Sequence, residues 1–378
     1  MSSERACIFF VSGDRALVPH RAGAFAETLR GLRELGGDEF VLRAAAPGEG
    51  AAFELEPDVQ VFPLGRRRWQ RGGRARQALE LLLRRGERPL VVQHVHGLDL
   101  AARSLWRARR DLRGWLAEVH HLAGVPRSFG WRGRVEAQLV AARLRFLARR
   151  ATAFRVVELR FAARKLHELG VPPERIRCVP SVYLDSEFFT PDDAVRRDVD
   201  LLWVAPWTIE KGRALLRSVA RALGAERRGG APLVLQAIGK GCPRALGRAP
   251  IPGVVIDARE NVSREELRAA YRRARALLLT SSAEGGPRVA AEALACGAPL
   301  VATDVGRCRE WITSERVGAL AAPEPVDFAR AVRATWERAA TGAALRALVA
   351  PALASLERRH SLAAYRDLLL ELWRGGEA

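Results

Sequence analysis

Short apolar runs alternate along the chain with longer stretches whose apolar residues recur at helical spacing. In the first half, the runs that indicate strands include Cys7–Ser12, Pro89–His94 and Trp115–His120. Helical patterns such as Ala24–Leu35 and Arg134–Ala151 lie between and after them. Because strands that alternate with helices form parallel sheets covered by helices on both faces, this order predicts an α/β fold with doubly wound sheets.

The alternation is interrupted once, between Tyr183 and Arg197, where apolar positions are few and Pro191 precedes two aspartates. It starts again at Asp200–Val204 and continues to the end of the chain. A chain of 378 residues is long enough for two domains that each bury a core. We therefore predict a first domain over residues 1–185 and a second over residues 192–358.

The charge balance favours anionic partners. The chain has 62 basic and 43 acidic residues, a net charge of +19, and such a field attracts nucleotides, nucleic acid, anionic lipid or acidic glycans without distinguishing them. Only three of the basic residues are lysines, Lys165, Lys211 and Lys240. This arginine bias is typical of genome-wide codon usage, so part of the charge carries no functional information.

Compartment and redox state follow from what the sequence lacks. No stretch approaches the roughly 20 apolar residues of a membrane span, and the first residues have no signal-peptide pattern. We therefore expect a cytoplasmic protein. The five cysteines are scattered and never form C-x-x-C, which argues against a disulfide framework or a zinc site and favours buried thiols.

The most informative stretch covers residues 276–306, ALLLTSSAEGGPRVAAEALACGAPLVATDVG. Leu277–Thr280 is typical of a buried strand, Glu284 opens a tight turn with two glycines, and Pro287 suits the first position of a helix. In a parallel sheet, the loop after such a strand faces the ligand crevice, and the N–H groups at the start of the next helix attract anions such as diphosphate. Glu284 then lies in the crevice loop, and Glu292 lies on the helix.

This stretch resembles the signature of family-four glycosyltransferases of GT-B fold, E-G-x-P-x-x-x-x-E-A-x-A-x-G-x-P-V-V-A-T. The matching positions are Glu284, Gly285, Pro287, Glu292, Ala293, Ala295, Gly297, Pro299, Val301, Ala302 and Thr303. The resemblance implies that Glu284 contacts the donor sugar and Glu292 the nucleotide ribose. It also implies that the segment from Gly285 to Val289 binds the donor, through Gly285, Gly286, Pro287, Arg288 and Val289.

Other segments resemble the same family in order and spacing. Ile176–Pro191 is similar to its interdomain segment, Glu210-Lys211-Gly212 to its E-K-G, and Ile238–Gly241 to its I-G-x-G turn. Asp304-Val305-Gly306 with Glu310 is similar to its D-V-G-G-x-x-E. The resemblance implies that Lys211 neutralises the donor diphosphate, that two Rossmann-like domains face each other across a cleft, and that a helix over residues 360–376 packs back on the first domain.

Three departures from the family pattern concern substrate binding. Ala205-Pro206 stands where relatives carry Gly-Arg, whose arginine is a second phosphate ligand. Tyr183-Leu184-Asp185 replaces Gly-Val-Asp. The glycine pair of the acceptor-side loop is reduced to Gly23. Arg213, Arg288 or another arginine is a candidate to replace the missing phosphate ligand, and the sequence leaves that choice open.

Histidines offer one further candidate. His120 and His121 follow a predicted strand, where the resemblance places a histidine that faces the donor; we prefer His120, although a purely structural histidine is equally compatible with the position. His94 and His96 lie two apart and would share one face of a strand. With no carboxylate or cysteine to complete a metal site, we predict none.

The sequence therefore predicts a retaining, metal-independent glycosyltransferase without a cofactor. Its donor is a UDP- or GDP-sugar, and its acceptor is a glycan, a lipid-linked molecule or a small molecule. A GT-B scaffold without activity, or a basic protein that binds nucleic acid or an anionic surface, is the alternative, and a sugar-nucleotide epimerase or phosphorylase is a lesser one. No RNA- or DNA-binding motif supports nucleic acid as a partner.

Two basic stretches leave another alternative open. Residues 66–69 and 132–150 are rich in arginine and contain apolar residues. They fit either peripheral contact with the anionic inner face of the cell membrane or ordinary solvated surfaces.

Overall fold

The computed structural model describes residues 5–12, 24–95, 105–106, 109–120, 130–181, 183–226, 230–248 and 250–375. Residue contacts divide the chain into two units: Met1–Ser181 together with Arg359–Ala378, and Val182–Arg358. The chain thus enters the second unit a few residues before the predicted end of the first domain. Each unit contains its own parallel sheet and its own buried core, so the predicted fold class of two Rossmann-like α/β domains is confirmed.

The sheet of the first unit has the strand order β3-β4-β2-β1-β5-β6-β7-β8. Its strands are β1 Ala6–Val11, β2 Phe40–Ala46, β3 Phe53–Glu56, β4 Val59–Pro63, β5 Leu90–His94, β6 Gly114–Val119, β7 Ala153–Val156 and β8 Ile176–Cys178. The described pairs are parallel except β3 with β4. Strand β1 is apolar on both faces and all six of its residues are buried, as expected for a central strand that helices cover on both sides.

The described helices of the first unit cover this sheet. They are α1 Ala24–Gly36, α2 Arg68–Arg84, α3 Gly130–Ala148, α4 Arg164–Glu168 and the last helix of the chain, Arg358–Gly375. A π-turn, Leu159–Ala163, precedes α4. It begins at Glu158, whose carboxylate accepts hydrogen bonds from the N–H groups of Phe161 at 2.8 Å and Ala162 at 2.6 Å, so the start of this segment is capped.

The sheet of the second unit has the order β11-β10-β9-β12-β13-β14. Its strands are β9 Leu201–Val204, β10 Leu233–Ile238, β11 Val254–Arg259, β12 Leu277–Leu279, β13 Leu300–Thr303 and β14 Gly318–Ala321. All described pairs are parallel. The strand order reverses between β9 and β12, and ligands bind at such a switch point, beyond the carboxyl ends of the strands.

The helices of the second unit are α5 Arg213–Glu226, α6 Cys242–Gly247, α7 Arg264–Arg273, α8 Arg288–Ala295, α9 Cys308–Trp311, α10 Pro325–Arg338 and α11 Gly342–Leu353. A capping box starts α7, since the Ser263 hydroxyl accepts from the Glu266 N–H at 3.1 Å and the Glu266 carboxylate accepts from the Ser263 N–H at 2.7 Å. Helix α8 consists mainly of small residues, so it packs closely beside β12 and β13 and is almost completely buried.

Two expectations about the whole chain can be compared with the structure. Cys7, Cys242, Cys296 and Cys308 are buried, but Cys178 is exposed, so the interpretation of all five cysteines as buried thiols was wrong at that position. Among the described residues, no single helix has both the length and the apolar character to cross a bilayer, whereas the bent pair Pro325–Arg338 and Gly342–Leu356 meets those criteria when taken together.

Candidate active site

A cavity of about 470 Å³ opens in the second unit at the carboxyl ends of β9, β10 and β12. This is the switch point of the sheet, where the fold leaves a crevice between loops. Its lining residues are Trp203, Val204, Ala205, Pro206, Lys211, Ile238, Gly239, Lys240, Val262, Leu267, Leu278, Leu279, Thr280, Ser281, Glu284, Gly286, Pro287, Arg288 and Val289. Apolar walls with a few polar side chains are typical of a small-molecule site.

The loop from β9 to α5 is fastened to the end of β12, and this contact positions Lys211. The Thr280 hydroxyl donates to the Lys211 carbonyl at 2.8 Å and accepts from the indole N–H of Trp203 at 3.0 Å. Gly212 has a φ of +72°, and a Cβ there would lie 1.8 Å from the Thr280 carbonyl oxygen. Only glycine fits this close approach, which explains why the residue after Lys211 carries no side chain.

Lys211 and Glu284 form an ion pair inside the cavity. Lys211 Nζ lies 2.8 Å from Glu284 Oε1, which also accepts from the Ser281 hydroxyl at 2.7 Å. The two charged side chains are 22% and 14% exposed, so a ligand in the cavity can reach both. The structure therefore brings together a cation and a carboxylate that the sequence places 73 residues apart.

The start of α8 also faces this cavity. Helix α8 begins at Arg288, with Pro287 as its N-cap residue rather than its first helical residue, so the predicted position of Pro287 is displaced by one. No described side chain caps the helix, and its first N–H bonds run from Ala290 and Ala291 to the Pro287 carbonyl. The N–H groups that precede them in the first turn suit an anion in the cavity.

Glu292 lies deeper, outside the cavity lining. It is 6% exposed, and its Oε2 accepts a hydrogen bond from the Tyr271 hydroxyl at 3.0 Å. Burial, followed by the negative charge of Glu292, raises the pKa of the Tyr271 phenol well above its usual value. Gly285 is likewise absent from the lining, and its carbonyl accepts from the Arg307 N–H at 3.1 Å. The predicted donor contacts of Glu292 and Gly285 stay predictions.

A second set of charged residues occupies the first unit at the carboxyl ends of its central strands. His94, Glu118 and Arg155 stand opposite one another in β5, β6 and β7, because the strand register pairs His94 with Glu118 and Glu118 with Arg155. All three are buried. Parallel neighbours in register present their side chains on the same face, so the sheet itself assembles this set.

Glu118 is the centre of this set. Its Oε1 accepts from Arg155 Nη1 and, at 2.6 Å, from the hydroxyl of Tyr365 on the last helix. Its Oε2 lies 2.5 Å from His94 Nε2. Burial alone would raise the pKa of the Glu118 carboxyl, but the charges of Arg155 and His94 and the histidine hydrogen bonds hold it well below its usual range.

His120, the predicted donor-facing histidine, lies beside these residues. Its Nδ1 is 3.2 Å from the Ser181 hydroxyl and its Nε2 is 3.7 Å from Glu118 Oε2. The side chain is 16% exposed. Both ring nitrogens thus have protein atoms nearby, and its catalytic role stays a prediction. Gly23, His96 and His121 lie outside the described residues.

Comparison with protein families identifies the chain. The family described as Glycosyl transferases group 1 matches residues 199–338, and Glycosyltransferase Family 4 matches residues 24–182. The chain belongs to the group 1 glycosyltransferases. No curated protein sequence matches it at a significant level.

Solved structures share the architecture of this glycosyltransferase. Sucrose-phosphate synthase from Thermosynechococcus elongatus matches with a TM-score of 0.73 at 17% identity, over 98% of this chain and 100% of that one. Anabaena HepE in complex with UDP gives 0.64 at 15% identity, over 97% and 100%. The lipopolysaccharide outer core galactosyltransferase WaaB gives 0.67 at 14% identity, over 97% and 99%. At these identities the similarity establishes the GT-B fold alone.

The first unit of the glycosyltransferase contains side chains of the kind that hold metals. One ligand atom each from His94, Glu118 and His120 lie within 4.8 Å of one another. Sequence reasoning found no carboxylate for such a site and did not include Glu118, which the structure places beside His94 and His120. However, Arg155 and Tyr365 occupy one oxygen of Glu118 and His94 contacts the other, so a cation would compete with existing hydrogen bonds and a buried positive charge. That no metal is required stays a prediction.

Sequence reasoning missed Glu118, Arg155 and Tyr365. One local signal was available, because Glu118 precedes His120 by two residues and so shares its side of the strand pattern. The partners of Glu118 give no such signal. Arg155 belongs to another strand, and Tyr365 lies 247 residues after Glu118 in the chain.

The basic stretches of the glycosyltransferase do not decide between membrane contact and solvated surface. Trp69 is 66% exposed beside Arg66, which pairs with Glu49 at 3.0 Å. On α3, Val135 and Leu139 are exposed. Exposed aromatic and aliphatic residues among arginines suit an anionic membrane, but each is a single side chain of a kind that soluble surfaces also carry. Membrane contact and cytoplasmic location stay predictions.

Proposed function

We propose that this chain transfers a sugar from a nucleotide-diphosphate donor, UDP- or GDP-linked, to a glycan, a lipid-linked molecule or a small molecule, with retention of configuration and without a metal ion. The observation that carries the proposal is the Lys211–Glu284 pair in the cavity at the switch point of the second sheet. HepE is a relative in fold whose structure contains UDP, which supports a nucleotide donor here.

The proposed mechanism is charge stabilisation of the departing diphosphate. Lys211 and the start of α8 both line the cavity, and we assign the departing diphosphate to the space beside them. Cations and oriented N–H groups in a partly enclosed site stabilise such charge more strongly than water does. In the proposed mechanism Glu284 accepts hydrogen bonds from the sugar hydroxyls. Glu292, which contacts Tyr271 outside the cavity lining, is assigned to the ribose from the resemblance alone.

A donor panel tests this function. Binding of UDP-, GDP- and ADP-sugars, and of the free nucleoside diphosphates, is measured by calorimetry for the wild type and for Glu284→Gln. We expect one nucleotide class to bind. Because Glu284 is assigned to the sugar, Glu284→Gln weakens the nucleotide-sugar by about 1–3 kcal/mol but leaves the free nucleoside diphosphate at least as tightly bound.

Glu315→Gln is the matched control, because Glu315 is an exposed glutamate of the same unit, paired with Arg338 at 3.0 Å. A wild type that binds none of these nucleotides would contradict the proposal and favour the scaffold alternative. Retention is measured from the anomeric proton signals of newly released sugar, and metal independence from unchanged turnover in EDTA. An inverted product would contradict retention, and loss of turnover in EDTA would contradict metal independence.

A further inference from the structure

The diphosphate site has one cation fewer than the family pattern. Lys211 shares its charge with Glu284 at 2.8 Å. Proline occupies position 206 in the cavity lining, where the family pattern that the sequence resembles has an arginine. A diphosphate has more than one negative charge, and charge-assisted hydrogen bonds to it are the strongest polar contacts available in such a site. Besides Lys211, the described lining of the cavity contains two basic side chains, Lys240 and Arg288.

The turn after β10 lies directly against the altered segment. Gly239 has a φ of +152°, and a Cβ there would lie 1.9 Å from the Ala205 carbonyl oxygen. The next residue, Lys240, accepts a hydrogen bond on its carbonyl from the Trp207 N–H at 2.9 Å. The backbone of Lys240 is thus held beside the residues that flank Pro206, at the same edge of the cavity.

The arginines named as candidates fit less well. Arg213 starts α5 and is absent from the cavity lining. Arg288 lines the cavity at the start of α8, whereas Lys240 lies beside the segment that contains Pro206. Lys240 lines the cavity and is exposed. Among the described residues, none forms a hydrogen bond or an ion pair with its ammonium group.

We propose that Lys240 is the second cation of the diphosphate subsite and takes over the task of the arginine that position 206 lacks. This inference rests on the proposed function, because it assigns a ligand within the same cavity. Two of the three lysines in the chain then serve one diphosphate. The third, Lys165, lies in α4 of the first unit and pairs with Glu168 at 2.9 Å.

Titration of phosphorylated and unphosphorylated ligands separates this role from a general effect on the cavity. UDP, GDP and ADP are titrated by calorimetry, and uridine, guanosine and adenosine by NMR, into the wild type, Lys240→Ala, Lys240→Arg and Lys165→Ala. We expect Lys240→Ala to weaken the preferred nucleoside diphosphate roughly 10- to 100-fold and to leave the matching nucleoside unchanged. Lys240→Arg retains most of the affinity, and Lys165→Ala, the matched control, retains all of it.

Salt dependence provides a second readout. Because Lys240→Ala removes one cation from the site, the affinity for the diphosphate should fall less steeply with added salt than in the wild type. Diphosphate affinity equal to the wild type, or equal losses for nucleoside and diphosphate, would overturn the assignment of Lys240 while leaving the proposed function intact. A wild type that binds no nucleoside diphosphate would instead remove the proposed function.

Discussion

Glu118 and Glu284 each lie in a polar cluster near the carboxyl edge of their sheet. They differ in how far protein groups already occupy their carboxylate oxygens. Glu118 in the first unit is 1% exposed, and Arg155, Tyr365 and His94 occupy both of its oxygens. Glu284 in the second unit is 14% exposed and lines a cavity with Lys211. A closed set of charges fixes a fold, whereas a pair that borders a cavity can exchange partners with a ligand. The difference separates a structural carboxylate from a candidate binding carboxylate.

Removal of the Glu118 carboxylate should have the largest effect on the free energy of unfolding. Glu118→Ala leaves the buried Arg155 with its backbone hydrogen bonds but without a carboxylate partner, and breaking a buried ion pair in this way costs about 3–5 kcal/mol of unfolding free energy. Hydrogen exchange of peptides from β5, β6 and β7 in urea measures the loss, and peptides from β9 to β13 give an internal reference. Glu226→Ala is the control, since Glu226 forms an exposed pair with Arg333 at 2.6 Å. Equal protection of the three strands in both variants would show that Glu118 is not structural.

Removal of Lys211 should instead have a small effect on stability and a large effect on activity. Lys211→Ala changes stability by less than about 1 kcal/mol, because partly exposed pairs contribute little. We expect turnover of the preferred nucleotide-sugar to fall about 100- to 1,000-fold, because the variant lacks a cation aimed at the leaving group. Initial rates and thermal unfolding of Lys211→Ala and Lys165→Ala check both parts. Full turnover, or unfolding comparable to that of Glu118→Ala, would abolish the distinction between the two glutamates.

Acid should weaken the closed set progressively. The pKa of Glu118 is lower in the folded chain than in the unfolded chain, so its stabilisation is complete above the unfolded value of about 4.3 and is lost as the pH falls towards the folded value. The difference in unfolding free energy between the wild type and Glu118→Gln should therefore stay constant above pH 5 and shrink below about pH 4. Urea titrations from pH 3 to 7 measure it. A difference that grows in acid would contradict the depressed pKa.

Much of the fold was predictable where pattern and burial agree. The sequence pattern predicts a strand over Val59–Pro63 and a proline-started amphipathic helix over Pro325–Arg338, and the structure has both with these bounds. The alternating pattern predicts the other twelve described strands of the two sheets but not β3 and β14. Phe53–Glu56 is a polar edge strand that no buried face marks, and Gly318–Ala321 contains small residues with weak strand preference.

The two polar clusters differ in the same way. Lys211, Glu284 and Pro287 to Val289 belong to short contiguous motifs, so the sequence could indicate them before the cavity was known. The cluster around Glu118 requires the register of three strands and a contact across 247 residues. Lys240 was visible as one of three lysines, but its position beside Pro206 depends on how the turn after β10 packs.

The two segments that join the units lie side by side. The Leu184 N–H donates to the Leu356 carbonyl at 2.7 Å, and the Arg358 N–H donates to the Leu184 carbonyl at 3.1 Å. The second unit is therefore an insertion whose ends are adjacent, and every residue it needs has been synthesised before Tyr365. Domains generally fold as units during synthesis, in order from the N-terminus. Here synthesis of the first unit begins first, but its last helix, which completes the hydrogen bonds of Glu118, is synthesised after the second unit. The second unit can therefore fold before the first unit is complete.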